Sequence, residues 1–195
     1  MQDNQPTGSA PEVAPHPIAP GFSPQQIIDQ FKVILLSPKI FFANMPLEGG
    51  FMQPALLYAV IAGVICVGDM LLHIGHPIAA ILGGIGTFIT IMLLSFVGAA
   101  ITMGLSRLLG GTGSYEATYR ACAYSAAPHI VGWIPVIQVI GAIYSVFLLK
   151  IALERAQNLP SNRAVAVVAI QIGLILIAGI FVMMAGLATM LAVRH

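Results

Sequence analysis

Three polar side chains that can bind metal or accept protons lie near the end of the first long apolar stretch. Asp69, His73 and His76 are spaced i, i+4 and i+7. A helix places residues at this spacing on one face, where a carboxylate and two imidazoles can hold a metal ion or relay a proton. The same residues also fit an interfacial role at the point where a helix leaves the lipid. We retain the trio as a candidate site and predict no bound metal or other cofactor.

A second group of polar residues lies in the third apolar stretch. Glu116 and Arg120 are four residues apart, the helical spacing of an ion pair that neutralises both charges at the membrane boundary. Pro128 removes a backbone donor and frees the carbonyl near Tyr124. This carbonyl and Ser125 either face a small polar cleft or are satisfied by packing against neighbouring helices. We interpret these five residues as structural or functional candidates and predict no catalytic residue.

Motifs of common enzymes are missing from the sequence. It contains no GxxxxGK phosphate loop, no HExxH zinc motif and no GxSxG nucleophile motif. The net charge is +1, which leaves no basic footprint for nucleic acid. Cys66 and Cys122 lie within apolar runs, where a thiol acts as a small hydrophobe. We therefore predict a non-enzymatic protein that binds no nucleic acid.

Hydrophobic helices must position the polar residues. Of the 195 residues, 58% are hydrophobic and 8% are charged, whereas a soluble domain has about 25% charged residues. Five apolar stretches are long enough to cross a hydrocarbon core about 30 Å thick. The third and fourth can also be joined as one bent, re-entrant element, but their combined length of about 40 residues favours two crossings. We predict an all-α membrane protein with five transmembrane helices, at about residues 51–73, 77–105, 115–133, 135–154 and 163–193.

Two segments precede the first predicted span. Residues 1–21 are rich in Pro, Ala and polar residues and lack the pattern of a signal peptide, so we predict an uncleaved, disordered cytoplasmic tail. In residues 22–46, Ser23 as a cap and Pro24 in the first turn predict a helix with apolar residues at helical spacing. Its other face is polar and it is too short to span. We predict an amphipathic interfacial helix interrupted at Pro38.

Basic residues are unequally divided between the two sides of this topology. Of the eight Lys and Arg residues, seven flank connections on the side of the amino terminus, and only Arg194 lies on the other side. The positive-inside rule therefore predicts a cytoplasmic amino terminus and an external carboxyl terminus at His195. The seven are Lys32, Lys39, Arg107, Arg120, Lys150, Arg155 and Arg163.

Two segments and the order of the elements resemble a known family. Residues 36–42 read LSPKIFF, and residues 115–128 read YEATYRACAYSAAP. Together with the five-span order, they resemble the YIP domain family of Ypt/Rab-interacting membrane proteins over roughly residues 22–193. The resemblance implies a five-helix membrane domain, and in eukaryotic relatives an association with Rab-type GTPases. The tail lacks the Asp-Leu-Tyr-Gly-Pro segment of those relatives, so the chain is more similar to a prokaryotic member, which implies the bacterial inner membrane.

Two hypotheses about function follow from these features. The leading one is an integral membrane scaffold or adaptor, whose cytoplasmic tail, interfacial helix and basic loops contact membrane lipid and a protein partner. The alternative is a small transporter or lipid-handling protein with a polar cleft near Pro128, since broken helices and intramembrane polar groups mark such sites. Small residues four apart, such as Gly141 and Ser145, permit close helix packing within the chain and in a homo-oligomer.

Overall fold

The computed structural model describes residues 24–72, 75–132 and 134–193. Within these ranges the chain forms α-helices and one 3₁₀ helix, and no β-strand is present. The elements are α1 (Pro24–Leu36), α2 (Pro38–Ala43), α3 (Met52–Leu72), α4 (Pro77–Leu108), α5 (Tyr115–Ser125), the 3₁₀ helix η1 (Ala127–Val131), α6 (Pro135–Ala156) and α7 (Ser161–Val193).

Within the described residues, three helices are long and apolar enough to cross a membrane. They are Pro77–Leu108, Val136–Ala156 and Ser161–Leu187, and Met52–Gly68 is a shorter apolar helix. Many large apolar side chains of these helices are exposed, a surface that suits lipid and is rare in soluble proteins. The predicted all-α membrane protein is confirmed as a class, with three long apolar helices and one shorter one.

The third predicted span, residues 115–133, is not one kinked helix. α5 ends at Ser125 and the chain continues as η1, which has Pro128 in its first turn. Backbone N–H groups at the end of α5 bond to the last carbonyls, including that of Tyr124. The carbonyl that Pro128 was expected to free therefore has a backbone partner, and Pro128 belongs to a helix break. Trp133, the end of this prediction, lies outside the described residues.

α5 lies at the centre of the molecule, because every residue from Ala117 to Ser125 is buried. It contacts α3, α4 and α6. η1 also packs closely on α6, since a Cβ added to Gly141 would lie 2.8 Å from the carbonyl oxygen of Pro128. Such close approach needs a small residue at the crossing point. α5, η1 and α6 therefore form one tightly packed helical hairpin.

The predicted helix over residues 22–46 is two helices in the structure. α1 and α2 are separated at Ser37, and Pro38 starts α2, so the interruption predicted at this proline is present. The tail of residues 1–21 and the predicted cap Ser23 lie outside the described residues.

The apolar face of α1 is partly covered by protein. Phe31 and Ile34 are buried, and the hydroxyl of Tyr144 in α6 donates to the carbonyl oxygen of Leu35 at 2.7 Å. The sequence pattern predicted the amphipathic face, whereas these contacts with α6 come from the tertiary structure. The interfacial position of α1 in a bilayer stays a prediction.

Candidate functional site

Glu116 and Arg120 form an ion pair and share a third partner from another part of the chain. Nε of Arg120 donates to Oε1 of Glu116 at 3.2 Å. Nη2 of Arg120 donates to the carbonyl oxygen of Gly50 at 2.7 Å. The backbone N–H of Gly50 in turn donates to Oε1 of Glu116 at 2.6 Å. The pair therefore ties the backbone segment before α3 to the first turns of α5.

Gly49 and Gly50 let the backbone approach Arg120 this closely. Their φ angles are +123° and +85°, in a region that residues with a Cβ rarely adopt. A Cβ added to Gly49 would lie 3.0 Å from Nη2 of Arg120. These glycines were not predicted as part of the site. The Gly-Gly pair just before an apolar stretch was the available signal, and it indicates only a turn.

Burial makes the polar atoms around Arg120 costly to leave unpaired. Arg120 is 1% exposed, and its Nη1 has no hydrogen-bond partner among the residues that the structure describes. The hydroxyl of Tyr124 is buried beside it. Arg120 and Gln30 of α1 face this hydroxyl, and the ring of Phe41 packs edge-on against Tyr124 with centroids 5.1 Å apart. Buried polar atoms without partners cost about 1–3 kcal/mol each. We call Gly50, Glu116, Arg120 and Tyr124 the Arg120 cluster, the candidate site of this protein.

Ser125, the other polar residue predicted near Pro128, bonds within its own helix. Its hydroxyl donates to the carbonyl oxygen of Cys122 at 3.0 Å, and this bond is buried. The hydroxyl of Thr118, earlier in α5, accepts a hydrogen bond from the side-chain amide of Gln157. These side chains therefore bond within the helix bundle, which is the pattern that the packing interpretation predicts.

Gln157 was not predicted from the sequence, yet it joins two loops. Its Oε1 accepts a hydrogen bond from the backbone N–H of Gly113 at 3.1 Å, and its carbonyl oxygen accepts one from Thr112 at 3.0 Å. A Cβ added to Gly113 would lie 1.8 Å from the carbonyl oxygen of Ala156. The α4–α5 loop therefore sits directly on the end of α6.

Two arginines also bond to the backbone of the same loop. Nη2 of Arg107 donates to the carbonyl oxygen of Gly113 at 2.9 Å, and Nη1 of Arg163 donates to that of Leu109 at 3.2 Å. The loops that follow α4 and α6 thus form one continuous surface. We call this surface, with the exposed Arg107, Arg155 and Arg163, the basic end of the molecule.

The candidate metal site is only partly described. His73 and the side chain of Asp69 lie outside the described residues. His76 precedes α4, and its side chain makes no capping hydrogen bond there. Among the residues that the structure describes, no group of three His, Cys, Asp or Glu side chains could hold a metal ion. The Asp69, His73 and His76 site stays a prediction.

Long apolar helices packed around a buried, partly polar central helix define a multi-pass α-helical membrane protein. Residues 31–184 match the Yip1 domain. Because this match covers more than half of the 195 residues, the chain belongs to the Yip1 domain family, and the resemblance seen in residues 36–42 and 115–128 is confirmed. The family is associated in general with membranes and with Rab proteins. Comparison with curated proteins and with solved structures found no match.

Proposed function

We propose that the chain is a non-enzymatic membrane scaffold or adaptor of the YIP type, acting through protein and lipid contacts at its basic end. The observation that carries this proposal is that hydrogen bonds join the α4–α5 loop to the α6–α7 region. Gly113 donates to Gln157, and Arg163 donates to the loop carbonyl of Leu109. Loops joined in this way present their side chains in a fixed arrangement, which reduces the entropy lost on binding a partner.

The charges of the basic end support the same role. Arg107, Arg155 and Arg163 are exposed, whereas Lys150 is paired with Glu154 at 2.7 Å. Each Lys or Arg near a membrane surface adds about 1 kcal/mol of attraction to anionic lipid. The three exposed arginine side chains therefore favour an anionic lipid surface or an acidic protein partner.

The proposal includes five spans, with the amino terminus and basic end in the cytoplasm of a bacterial inner membrane and the carboxyl terminus outside. α5 and η1 contain 11 and 5 residues, a length of about 26 Å from their rises per residue. Because α5 is buried among other helices, its polar residues do not have to face lipid. Low hydropathy in this segment is therefore compatible with a crossing.

The second candidate function is a small transporter or lipid-handling protein. The buried polar side chains of Arg120 and Tyr124 favour it, because intramembrane polar and ionisable groups mark substrate pathways. For this second function, Pro128 supplies only the break between α5 and η1. The side chains that bond within the bundle, among them Ser125, favour the scaffold.

Photo-crosslinking in native membranes tests the scaffold. A photoreactive residue replacing Arg155 should capture one protein partner reproducibly, whereas the same residue at Ile177, an exposed apolar position of α7, should capture lipid. Solute flux in proteoliposomes that the Tyr124→Phe change abolishes, together with no protein adduct at Arg155, would contradict the scaffold and favour the transporter.

A further inference from the structure

We propose that the groove between α1, α3 and η1 binds one phospholipid, with an acyl chain between the helices and the phosphate on Lys32. This site lies apart from the basic end and does not depend on the scaffold role. It follows from the shape, the chemistry and the position of the groove.

The groove is a cavity of 440 Å³ with walls from three elements. α1 supplies one wall, including Phe31 and Leu35, while Val60 of α3 and Ile130 of η1 supply the other. No polar surface lines it, and Lys32 contributes only the aliphatic stem of its side chain. Water gains no hydrogen bonds in such a space, whereas an aliphatic chain gains about 0.8 kcal/mol per buried methylene.

The position of the groove indicates what fills it. Val60 is the ninth residue of α3, about 12 Å along the helix axis from its start. α3 is an apolar helix of a membrane protein family, and in the five-span topology proposed above this depth lies beside lipid tails. Ile28 and Leu36 at the rim are 49% and 80% exposed, which leaves the groove open to an acyl chain from the bilayer.

Lys32 determines which kind of lipid fits best. Its ammonium group pairs with Asp29 at 3.4 Å, and both side chains are more than half exposed. An exposed pair of this kind contributes less than about 1 kcal/mol. The ammonium carries three donors, so it can bind a phosphate oxygen while the aliphatic stem of Lys32 stays on the apolar wall. A phospholipid supplies both the chain and the phosphate.

A bound lipid of this kind would join α1 to the bundle. The direct polar contact described between α1 and α6 is the hydrogen bond from Tyr144 to Leu35. An acyl chain between Phe31 and Val60 would add apolar contacts on the adjacent side of α1. The stability of the packing of α1 against the other helices would then depend on the lipid composition of the membrane.

Lipid binding by the full-length protein in mild detergent tests the site. Native mass spectrometry would measure the retention of added phosphatidylglycerol, and of diacylglycerol, which has the chains without the phosphate. Val60→Trp and Ile130→Trp fill the groove from two different elements and should each lower the retention of both lipids about tenfold, since loss of a few methylene contacts is enough for this. Ile180→Trp, at an exposed position of α7 outside the groove, should change neither.

The headgroup contact is tested separately. Lys32→Gln should lower phosphatidylglycerol retention about fivefold and leave diacylglycerol retention unchanged. Lys39→Gln, an exposed lysine of α2 outside the groove, is the matched control and should have no effect. Equal loss of both lipids in Lys32→Gln would overturn the assignment of the phosphate.

Other occupants of the groove would be recognised by different results. Unchanged retention in both tryptophan variants, with the melting temperature of the wild type, would overturn the proposal. So would a disulfide between two copies carrying Ile28→Cys, with Cys66 and Cys122 replaced by Ala, because a second copy would then cover the groove. A rise in lipid retention after deletion of residues 1–21 would show that the tail occupies it, which also overturns the proposal.

Discussion

The guanidinium group of Arg120 is held by two parts of the chain that are far apart in sequence. Glu116 lies one helical turn away, whereas Gly50 lies 70 residues away. A buried charge is stable only while its partners remain, and removing one partner leaves the other with an unpaired group. At the residue scale, Arg120 therefore controls how the segment before α3 meets α5.

Replacing Arg120 with Ala should lower the free energy of unfolding by about 1–3 kcal/mol, because Glu116 and the carbonyl of Gly50 lose a donor. Adding Glu116→Gln should recover part of the loss, since a neutral amide costs less to leave unpaired than a carboxylate. Thermal unfolding of both single variants and the double variant in detergent measures the coupling. Strictly additive losses would show that the two side chains do not interact.

A matched control for this cycle is the exposed pair of Asp29 and Lys32. Because solvent screens both charges, Asp29→Asn should change the free energy of unfolding by less than about 1 kcal/mol. An effect as large as that of Arg120→Ala would mean that burial is not the reason for the loss.

Gly113 is the residue at which a single methyl group should matter most. Its added Cβ would lie 1.8 Å from the carbonyl oxygen of Ala156, and backbone cannot move aside as a flexible side chain can. Gly113→Ala should therefore separate the α4–α5 loop from α6 and lower the free energy of unfolding by about 1–3 kcal/mol or more. Gly104→Ala, where an added Cβ would contact nothing within 4 Å, should be neutral or slightly stabilising. Melting temperatures that fall equally in both variants would contradict the loop contact.

At the scale of elements, the hairpin of α5, η1 and α6 replaces the single kinked helix that Pro128 suggested. The α-helix ends three residues before the proline, and its last carbonyls are capped by backbone N–H groups. Pro128 then lies in the first turn of η1, where its missing N–H costs nothing. The break lets the backbone of Pro128 pack directly against Gly141.

Gly141→Ala should disrupt this crossing, since the new methyl group would lie 2.8 Å from the carbonyl oxygen of Pro128. We expect a loss of about 1–3 kcal/mol in the free energy of unfolding. Gly63→Ala is the matched control, because an added Cβ there has no neighbour within 4 Å. Equal thermal stability of the two variants would show that η1 and α6 are not in backbone contact.

At the scale of the whole molecule, the buried contacts lie mainly around α5 and near the basic end, while α7 leaves this core. Val167 and Val168 of α7 are buried, whereas large apolar side chains from Leu174 to Leu187 are exposed. A helix with apolar side chains exposed all round is stable in lipid and not in water. The position of the bilayer around this helix follows from the five-span topology that we propose.

That topology predicts opposite locations for the two termini. A reporter fused before Met1 should be cytoplasmic, and one fused after His195 should be external, because seven of the eight basic residues lie on the side of the amino terminus in the proposed topology. Cysteine labelling from outside the cell at Gly75, but not at Asn162, would agree with this orientation. Finding both termini on the same side would rule out five spans.

The sequence alone determined the class of the protein and several of its helix boundaries. Hydropathy depends on composition within a window, so the apolar stretches at 51–73 and 77–105 predicted α3 and α4 closely. The predicted starts at residues 77 and 135 coincide with the starts of α4 and α6, each of which has a proline in its first turn. The pairing of Glu116 with Arg120 could also be predicted, because residues four apart in a helix lie next to each other on its surface.

Only the tertiary structure decided which groups complete the site. Gly50 joins Arg120 across 70 residues, and Gln157 joins Gly113 across 44; neither partner has a local pattern that reveals it. The burial of every α5 residue from Ala117 to Ser125 could not be predicted for the same reason, because a span predicted from the sequence does not reveal which helices surround it. Its polar side chains are tolerated inside because hydrogen-bond partners come from other helices, and the packing of the folded chain alone brings those partners together.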